Sequence, residues 1–214
     1  MYIVDRGLRF VRGFILSYGP TNIKKIFWDK EYSDNKWHFA DNTVGDCVYG
    51  HLEKIAANKT VLDIGCGSGN TPTEMAGTYK SYVGVDISQT ALAKAEKRSK
   101  EVGREDKNRF ECSDMLTYIP SQQYDVILFR ESLYHIPIGK VKATLDRYSV
   151  YLKEEGVFIV RLFAGDRTTN QTKARPTAML ANIEAEFDIL EKGEYEDDGR
   201  PTVLVFRPRP KKLN

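Results

Sequence analysis

From about residue 43 onward, the spacing of apolar residues alternates between a pattern typical of strands and one typical of helices. Short runs predict five strands: TVLDIG, SYVGVD, RFECSD, YDVILFR and VFIVRLF. TVLDIG is apolar and β-branched, as expected of a parallel strand covered on both faces. Between these runs, apolar residues recur at helical spacing. Strands that alternate with helices in this way predict a parallel sheet with helices on both faces.

The helices are predicted from amphipathic spacing and from residues that favour helix ends. Four apolar residues of segment 43–56 share one helical face: Val44, Val48, Leu52 and Ile55. Asn70 is placed to cap a helix that has Pro72 in its first turn, where the missing N–H costs little. The spacing also predicts a helix over 141–156, closed by Gly156.

The pattern changes at both ends of the chain. After a helix over TAMLANIEAEF, the strands DILEKGEY and TVLVFRP are separated only by the turn EDDGRP, so they are expected to run antiparallel. Segment 17–42 has no clear periodicity and is rich in aromatic and charged residues.

Composition narrows the class of protein. The chain has 214 residues, of which 41% are hydrophobic and 29% charged, so we expect one folded domain with its own core. A net charge of only +2 argues against a nucleic-acid partner. Three cysteines without a C-x-x-C motif argue against disulfides and zinc, and favour the reducing cytoplasm. The apolar run FILSYG is too short for a membrane helix and is flanked by charges.

A glycine-rich loop follows the first predicted strand. Gly65, Gly67 and Gly69 let the backbone approach a ligand closely beyond the carboxyl end of that strand. A dinucleotide fingerprint would need glycine where Asn70 stands. Asp63, two residues before the loop, would repel a pyrophosphate and attract an ammonium group. The pattern favours a ligand with an amino-acid end.

Four motifs resemble those of class I S-adenosylmethionine-dependent methyltransferases: LDIGCGSGN, the acid of VGVDIS, the acid of ECSDML, and YDVILFRESLYHI. The resemblance runs from about Val44 to Phe206. It implies an α/β, doubly wound, Rossmann-like sheet of seven strands in the order 3-2-1-4-5-7-6, with the last strand antiparallel and helices on both faces. It also implies one domain over residues 1–214, with 1–43 as a lid and substrate segment and 44–214 as the catalytic core.

The resemblance assigns S-adenosyl-L-methionine as the cofactor and S-adenosyl-L-homocysteine as its product, without a metal. Asp86 would accept the ribose hydroxyls and Asp114 the adenine amino group, with Ile87 and Met115 against the ring. An isolated aspartate fits a helix cap equally well, but acids at three successive strand ends favour a nucleoside site. The predicted cofactor-binding residues are Asp63, Gly65, Cys66, Gly67, Gly69, Asn70, Asp86, Ile87, Asp114, Met115 and Arg130.

The segment FRESLYHIP provides the candidate catalytic residues. His135 is the candidate general base, and Glu131 would orient it or share its role; alternatively, His135 packs against or caps the next turn. Arg130 would bind the carboxylate of the cofactor and Arg161 an anionic substrate. The alternative is a structural ion pair with Glu131 or Asp166.

The same segment replaces the Asn/Asp-Pro-Pro-aromatic motif of members that methylate base amines or glutamine amides. The chain is more similar to small-molecule members such as the nodulation-type N-methyltransferases, which predicts transfer to nitrogen or oxygen of a small, possibly anionic acceptor. Aromatic residues of the lid would enclose the methyl group, or would only pack that segment onto the sheet. The predicted substrate and lid residues are Trp28, Tyr32, Trp37, Tyr134 and Arg161, with Phe39 beside them.

Two other functions compete with this interpretation: a nicotinamide-dependent Rossmann oxidoreductase and a non-catalytic S-adenosylmethionine-binding module. Asn70 and Asp63 argue against the first. We expect a monomer or homodimer that acts on a small molecule, with neither a nucleic-acid partner nor a membrane partner.

Overall fold

A computed structural model describes residues 13, 15–16, 18–34, 43–163, 170–195 and 201–210. The helices are α1 (Thr21–Ser33), α2 (Cys47–Ala56), α3 (Asn70–Glu74), α4 (Gln89–Glu101), α5 (Val141–Ser149) and α6 (Asn170–Glu186). The strands are β1 (Thr60–Ile64), β2 (Ser81–Asp86), β3 (Asn108–Cys112), β4 (Tyr124–Arg130), β5 (Leu152–Phe163), β6 (Phe187–Glu194) and β7 (Pro201–Pro208). Two short 3₁₀ turns, Leu133–His135 and Ile138–Lys140, follow β4.

The seven strands form one sheet in the order β3-β2-β1-β4-β5-β7-β6, as predicted. Strands β1 to β5 are parallel, whereas β7 runs antiparallel to β5 and β6. The strand order reverses between β1 and β4, and the loops after parallel strands open at one edge of the sheet. That edge is where a ligand-binding crevice is expected.

Each face of the sheet carries its own apolar core, because successive side chains of a strand point to opposite faces. On one face Leu62 and Ile127 pack with residues of α5 and α6, including Leu145 and Met179. The other face joins these residues from the strands and α2: Val61, Val126, Leu128, Val48 and Leu52. Central strands buried on both faces give the continuous apolar runs seen in the sequence.

The start of α2 differs from its prediction. The helix begins at Cys47, and the side chain of Asp46 caps it by accepting a hydrogen bond from the Val48 N–H at 3.0 Å. Val44 precedes the helix and is 81% exposed, so its prediction as a core residue was wrong. A capping acid outweighed one apolar residue in setting where the helix begins.

The predicted helix over 141–156 was also too long. Helix α5 ends at Ser149, and β5 already begins at Leu152, so Gly156 lies inside a strand. The register between β4 and β5 shifts between Tyr124 and Val126, and a Cβ on Gly156 would lie 2.9 Å from the Lys153 carbonyl oxygen. Gly156 therefore permits an irregularity in the strand and does not end a helix.

Segment 17–42 contains a helix that the sequence did not predict. Helix α1 packs against α4, at the carboxyl edge of the sheet. Among the described residues, no helix combines the length and the apolar character needed to cross a bilayer.

Candidate functional site

A cavity of about 160 Å³ lies at the carboxyl edge of the sheet, between α1 and the loops after β1, β2, β3 and β4. Most of the predicted site residues line it: Trp28, Tyr32, Gly65, Cys66, Gly67, Asn70, Asp86, Ile87, Asp114, Met115, Arg130, Glu131, Tyr134 and His135. Asp63, Gly69 and Arg161 are not among the lining residues. Trp37, Phe39 and Asp166 lie outside the described residues.

The glycine loop adopts backbone angles that favour glycine. Gly65 has φ +81° and Gly69 has φ +75°. A Cβ on Gly69 would lie 2.6 Å from the Cβ of Ala95, and one on Gly65 would overlap the Ser132 side chain. The loop therefore depends on missing side chains both for its turn and for its packing.

The cap of α3 is Gly69, so the prediction that Asn70 caps this helix was wrong. Asn70 is the first helical residue, and its side-chain oxygen instead accepts a hydrogen bond from Arg98 of α4. Pro72 does lie in the first turn. The left-handed glycine supplies the turn, which leaves the Asn70 side chain to tie α3 to α4.

Asp63, within β1, is buried, with only 1% of its surface exposed. Its Oδ2 accepts a hydrogen bond of 2.6 Å from the Tyr82 hydroxyl. Its Oδ1 has no hydrogen-bond partner among the described residues. Burial raises the pKa of Asp63 to about 6. A buried carboxylate oxygen without a donor is costly, and a bound ligand would offset that cost.

Asp86 lies at the end of β2, where backbone donors fix its carboxylate. Oδ2 accepts a hydrogen bond from the Gly67 N–H and Oδ1 from the Ser88 N–H, both at 2.9 Å. Each carboxylate oxygen has two lone pairs, so capacity for further donors remains. Burial raises the pKa of Asp86 despite these hydrogen bonds. The glycine loop and the acid of β2 are thus locked to each other.

Asp114 follows β3 and is buried against α1. Its Oδ2 accepts hydrogen bonds from the Lys24 ammonium and, at 2.9 Å, from the Thr21 hydroxyl, while Oδ1 accepts one from the Leu116 N–H at 3.0 Å. Burial opposes ionisation, but these hydrogen bonds outweigh it and lower the pKa of Asp114. The predicted adenine-binding acid is therefore also the partner of a lysine that sequence reasoning missed.

Helix α1 makes two further polar contacts with α4. The Asp29 carboxylate accepts hydrogen bonds from the Ser88 hydroxyl at 2.8 Å and from the Thr90 N–H at 3.0 Å. The Lys94 ammonium donates to the Tyr32 carbonyl oxygen at 2.8 Å. Together with Asp114, these contacts hold α1 over the cavity.

A network of buried charges lies beside the end of β4. Arg130 donates two hydrogen bonds to Oδ2 of Asp46, at 3.1 and 2.8 Å, and the Arg161 Nε lies 3.3 Å from Oδ1 of the same carboxylate. Arg161 also pairs with Glu131. The alternative of a structural ion pair with Glu131 therefore holds for Arg161. Asp46, which joins both arginines, was not identified from the sequence.

Glu131 has an unusual backbone for a residue other than glycine, with φ +54°. Its backbone N–H donates to the Arg161 carbonyl oxygen at 3.0 Å. Its carboxylate is half-buried and interacts with Arg161 and Tyr134; the partial burial outweighs both interactions and raises its pKa. Such backbone strain, of order 1 kcal/mol or more, often accompanies functional sites.

The aromatic rings of Trp28, Tyr134 and His135 meet in the cavity wall beside the segment that follows β4. The His135 ring centroid lies 5.0 Å from that of Trp28 and 4.8 Å from that of Tyr134, both edge to face. Trp28 also contacts Tyr32, with centroids 6.3 Å apart. The structure thus brings the predicted base next to the predicted lid residues.

The cysteines do not suggest nucleophilic chemistry. Burial raises the pKa of the Cys66 thiol well above its usual value, which disfavours the thiolate. Cys112 is exposed at the end of the edge strand β3. Within the described part of the chain, no group of three His, Cys, Asp or Glu residues could hold a metal ion.

The chain matches only part of the length of its curated relatives. The ubiquinone biosynthesis O-methyltransferase of Paraburkholderia phytofirmans is 38% identical over 90 residues, which are 42% of this chain and 37% of that protein. The chain spans less than half the length of this and the other curated relatives it matches.

Solved structures match over a larger share. The N-methyltransferase NodS of Bradyrhizobium japonicum, in complex with S-adenosyl-L-homocysteine, has a TM-score of 0.68 and 17% identity over 87% of this chain and 98% of that chain. The magnesium protoporphyrin IX methyltransferase ChlM of Synechocystis, with bound SAM, has a TM-score of 0.65 and 19% identity over 87% of this chain and 96% of that chain. These TM-scores show a shared fold, and at such low identities they show the fold alone.

A family profile covers most of the sheet. The profile described as "Methyltransferase domain" matches residues 55–197, which is more than half of the chain. The matched range includes the glycine loop, the acids after β2 and β3, and the segment after β4. The chain belongs to the methyltransferase domain family.

Proposed function

We propose that this protein is an S-adenosylmethionine-dependent methyltransferase that transfers a methyl group to nitrogen or oxygen of a small molecule. The observation that carries the proposal is the Asp86 carboxylate, which lines the cavity while the Gly67 N–H fixes its orientation. A carboxylate held in this way suits two ribose hydroxyls. Asp114, after the neighbouring strand, also lines the cavity and would accept a hydrogen bond from the adenine amino group.

The charges of the site support this cofactor over a dinucleotide. Apart from His135, the described ionisable residues that line the cavity near these loops include three carboxylates, Asp86, Asp114 and Glu131, and two cations, Lys24 and Arg130. S-adenosylmethionine carries a sulfonium, an ammonium and a carboxylate, so its net charge is positive. A diphosphate would meet the carboxylates unfavourably.

The Asp63 oxygen that lacks a donor and the glycine-rich loop after β1 also fit the methionine part of this cofactor. Asp63 Oδ1 lacks a donor among the described residues, and an ammonium group or its bound water would supply one. Arg130 has five N–H donors, of which Asp46 takes two, so it can also bind the cofactor carboxylate. Ile87 and Met115 line the cavity where the adenine ring would pack.

The cofactor, when bound, supplies a methyl group that its sulfonium has already activated. The residues of this chain then have to align the acceptor, exclude water and accept a proton. Glu131 and His135, which line the cavity, would accept that proton, and Trp28 and Tyr134 would enclose the reacting atoms. All three cysteines are free thiols, which supports a reducing compartment such as the cytoplasm.

Calorimetry with S-adenosylhomocysteine and NAD tests the cofactor. We expect S-adenosylhomocysteine to bind and NAD not to bind. Asp86→Asn should weaken S-adenosylhomocysteine binding on the order of 100-fold, because two hydrogen bonds to a charged group are lost. Asp188→Asn, an exposed acid on β6, is the matched control. Binding of NAD without S-adenosylhomocysteine would reject the proposal in favour of an oxidoreductase.

Turnover distinguishes an enzyme from a non-catalytic binding module. The assay supplies a radiolabelled methyl donor and a panel of amines, phenols and carboxylates. Transfer of label to at least one acceptor supports the proposal. Tight binding of the cofactor with no transfer to any acceptor class would favour the binding module.

A further inference from the structure

The acceptor subsite lies at the β4 side of the cavity, if the proposed function holds. The predicted nucleoside-binding residues Asp86 and Asp114 lie at the ends of β2 and β3, and the glycine loop follows β1. Because β4 lies on the other side of β1 from β2, the space beside the β4 end remains for the acceptor. This space is bounded by the segment after β4 and by α1.

The walls of this subsite are mostly aromatic and apolar, and its charged groups are Glu131 and the Arg130 that is paired with Asp46. Trp28, Tyr134 and His135 form the edge-to-face cluster, and Leu16 and Ile136 also line the cavity. Glu131 lies at the base of the same segment, held by its left-handed backbone. Aromatic rings beside a carboxylate are a combination that recognises positively charged nitrogen.

The described cations at or beside the cavity already have acidic partners in the protein. Arg130 pairs with Asp46, Arg161 pairs with Asp46 and Glu131, and Lys24 pairs with Asp114. Arg161 does not line the cavity, and the spare donors of Arg130 are assigned to the cofactor carboxylate under the proposed function. An anionic acceptor would therefore have to compete with that carboxylate, or with Asp114 for Lys24. The arginines that suggested an anionic substrate are thus engaged by Asp46, by Glu131 and by the proposed cofactor.

We propose that the acceptor is an amine on an apolar body, and that Glu131 with the aromatic cluster of Trp28, Tyr134 and His135 selects it. The apolar body contacts Leu16, Ile136 and the aromatic rings. The nitrogen faces the Glu131 carboxylate. Neutral hydroxyl compounds of the same shape gain the apolar contacts but lack the charge interaction.

The proposed transfer accounts for every proton and electron pair with Glu131, the amine and the cofactor. The ammonium gives one proton to the Glu131 carboxylate, which frees the nitrogen lone pair. That lone pair forms a bond to the methyl carbon while the carbon–sulfur bond breaks and its electron pair stays on sulfur. The methylated nitrogen then carries the positive charge, and Glu131 returns its proton to solvent. Burial raises the pKa of Glu131, which improves its ability to hold that proton between these steps.

Calorimetry on the protein saturated with S-adenosylhomocysteine tests the acceptor class. Three probes share one apolar body: phenethylamine, 2-phenylethanol and 3-phenylpropionate. We expect the amine to bind about tenfold more tightly than the alcohol and the acid, from charge and cation–π contacts. Equal or tighter binding of the acid or the alcohol, or no binding of the amine, would overturn the inference. Failure of S-adenosylhomocysteine itself to bind would instead reject the proposed function.

Variants test which residues select the amine. Glu131→Gln and Trp28→Leu should each weaken phenethylamine binding by about tenfold while changing S-adenosylhomocysteine affinity by less than about twofold. Ile26→Ala, exposed on the same helix α1, is the control and should change neither affinity. If Glu131→Gln does not fold, Tyr134→Phe removes a hydrogen bond to Glu131 and should shift the pH at which the amine binds. Unchanged amine affinity in both Glu131→Gln and Trp28→Leu would refute the assignment.

Discussion

Asp63 is a buried carboxylate whose ionisation lowers the stability of the folded protein but favours binding of a cationic ligand. Its pKa in the folded protein, about 6, lies above the ordinary value of 3.8. The folded state therefore binds more protons than the unfolded state between about pH 4 and 6, so stability falls as the pH rises through this window. Above about pH 6 the ionised, buried group costs up to about 3 kcal/mol.

We predict that Asp63→Asn stabilises the protein at pH 7 and flattens its stability between about pH 4 and 6. Urea unfolding at several pH values measures both effects. The same variant should bind S-adenosylhomocysteine more weakly, because it loses the negative charge beside the glycine loop. A variant that is less stable at pH 7 and keeps its pH dependence would contradict this account.

At the residue scale, local motifs predicted the site better than they predicted its partners. Asp86 and Asp114 were found because the family resemblance expects an acid at or just after the end of each of these predicted strands. Asp46 and Lys24 were missed because their partners Arg130 and Asp114 lie 84 and 90 positions away in the chain. Contacts over such distances depend on how the sheet is assembled, and a single sequence contains no local signal for them.

Two glycines, one that caps α3 and one inside α2, should respond oppositely to substitution by alanine. We predict that Gly69→Ala lowers the stability by about 2 kcal/mol or more, because the added Cβ meets Ala95 at 2.6 Å with φ at +75°. Gly50→Ala should raise it by about 0.5–1 kcal/mol, since Gly50 lies in α2 with nothing within 4 Å of the new Cβ. Chemical denaturation of both variants measures the pair. Equal effects of one sign would show that packing at the loop has been misjudged.

Helix α1 should depend on its buried lysine. We predict that Lys24→Met raises amide hydrogen exchange over residues 21–33 by about tenfold or more, because Asp114 loses its ionic partner inside the protein. Exchange in β1 and β4 should stay unchanged. Lys30→Met, exposed on the same helix, is the control. Protection in α1 that survives Lys24→Met would show that Asp29 and Tyr32 alone hold the helix.

At the element scale, the central strands were predicted well because burial on both faces gives them an unbroken apolar signal. Helix α1 was not predicted because its contacts with α4 and Asp114 are polar, so they leave no apolar stripe. Segment 152–156 was assigned to a helix because its residues LKEEG are mostly charged. In the structure Leu152 is buried and pairs with Tyr124 of β4, whereas the three charged residues that follow it are exposed and lie at the register shift before the Val126–Val157 pair.

Binding of S-adenosylhomocysteine, the product of the proposed cofactor, should raise the unfolding temperature of the whole protein. We predict that S-adenosylhomocysteine at about 100 times its Kd adds about 2.7 kcal/mol, or roughly 5–10 °C in Tm for a protein of this size. NAD should cause no shift. Asp86→Asn should lose most of the gain at the same ligand concentration. A shift with NAD alone, measured by scanning calorimetry, would contradict the proposed cofactor.

At this scale, the order of the seven strands followed from a family resemblance, whereas the antiparallel pairing of β6 and β7 followed from their short connection. The division into a lid over 1–43 and a core over 44–214 stays a prediction. The charge of the acceptor could not be predicted, because Arg130 and Arg161 look alike in sequence whether they face a ligand or a carboxylate of the protein.

The three contacts that hold α1 have a kinetic consequence. Under the proposed function, the cofactor binds beneath α1, and Asp114 and Ser88 belong to, or adjoin, the residues that would contact its nucleoside. The strength of these contacts, which take no part in bond making, would then influence how long the used cofactor stays bound. We expect Lys24→Met to release S-adenosylhomocysteine faster than the native protein, and its maximal velocity to rise if product release limits turnover.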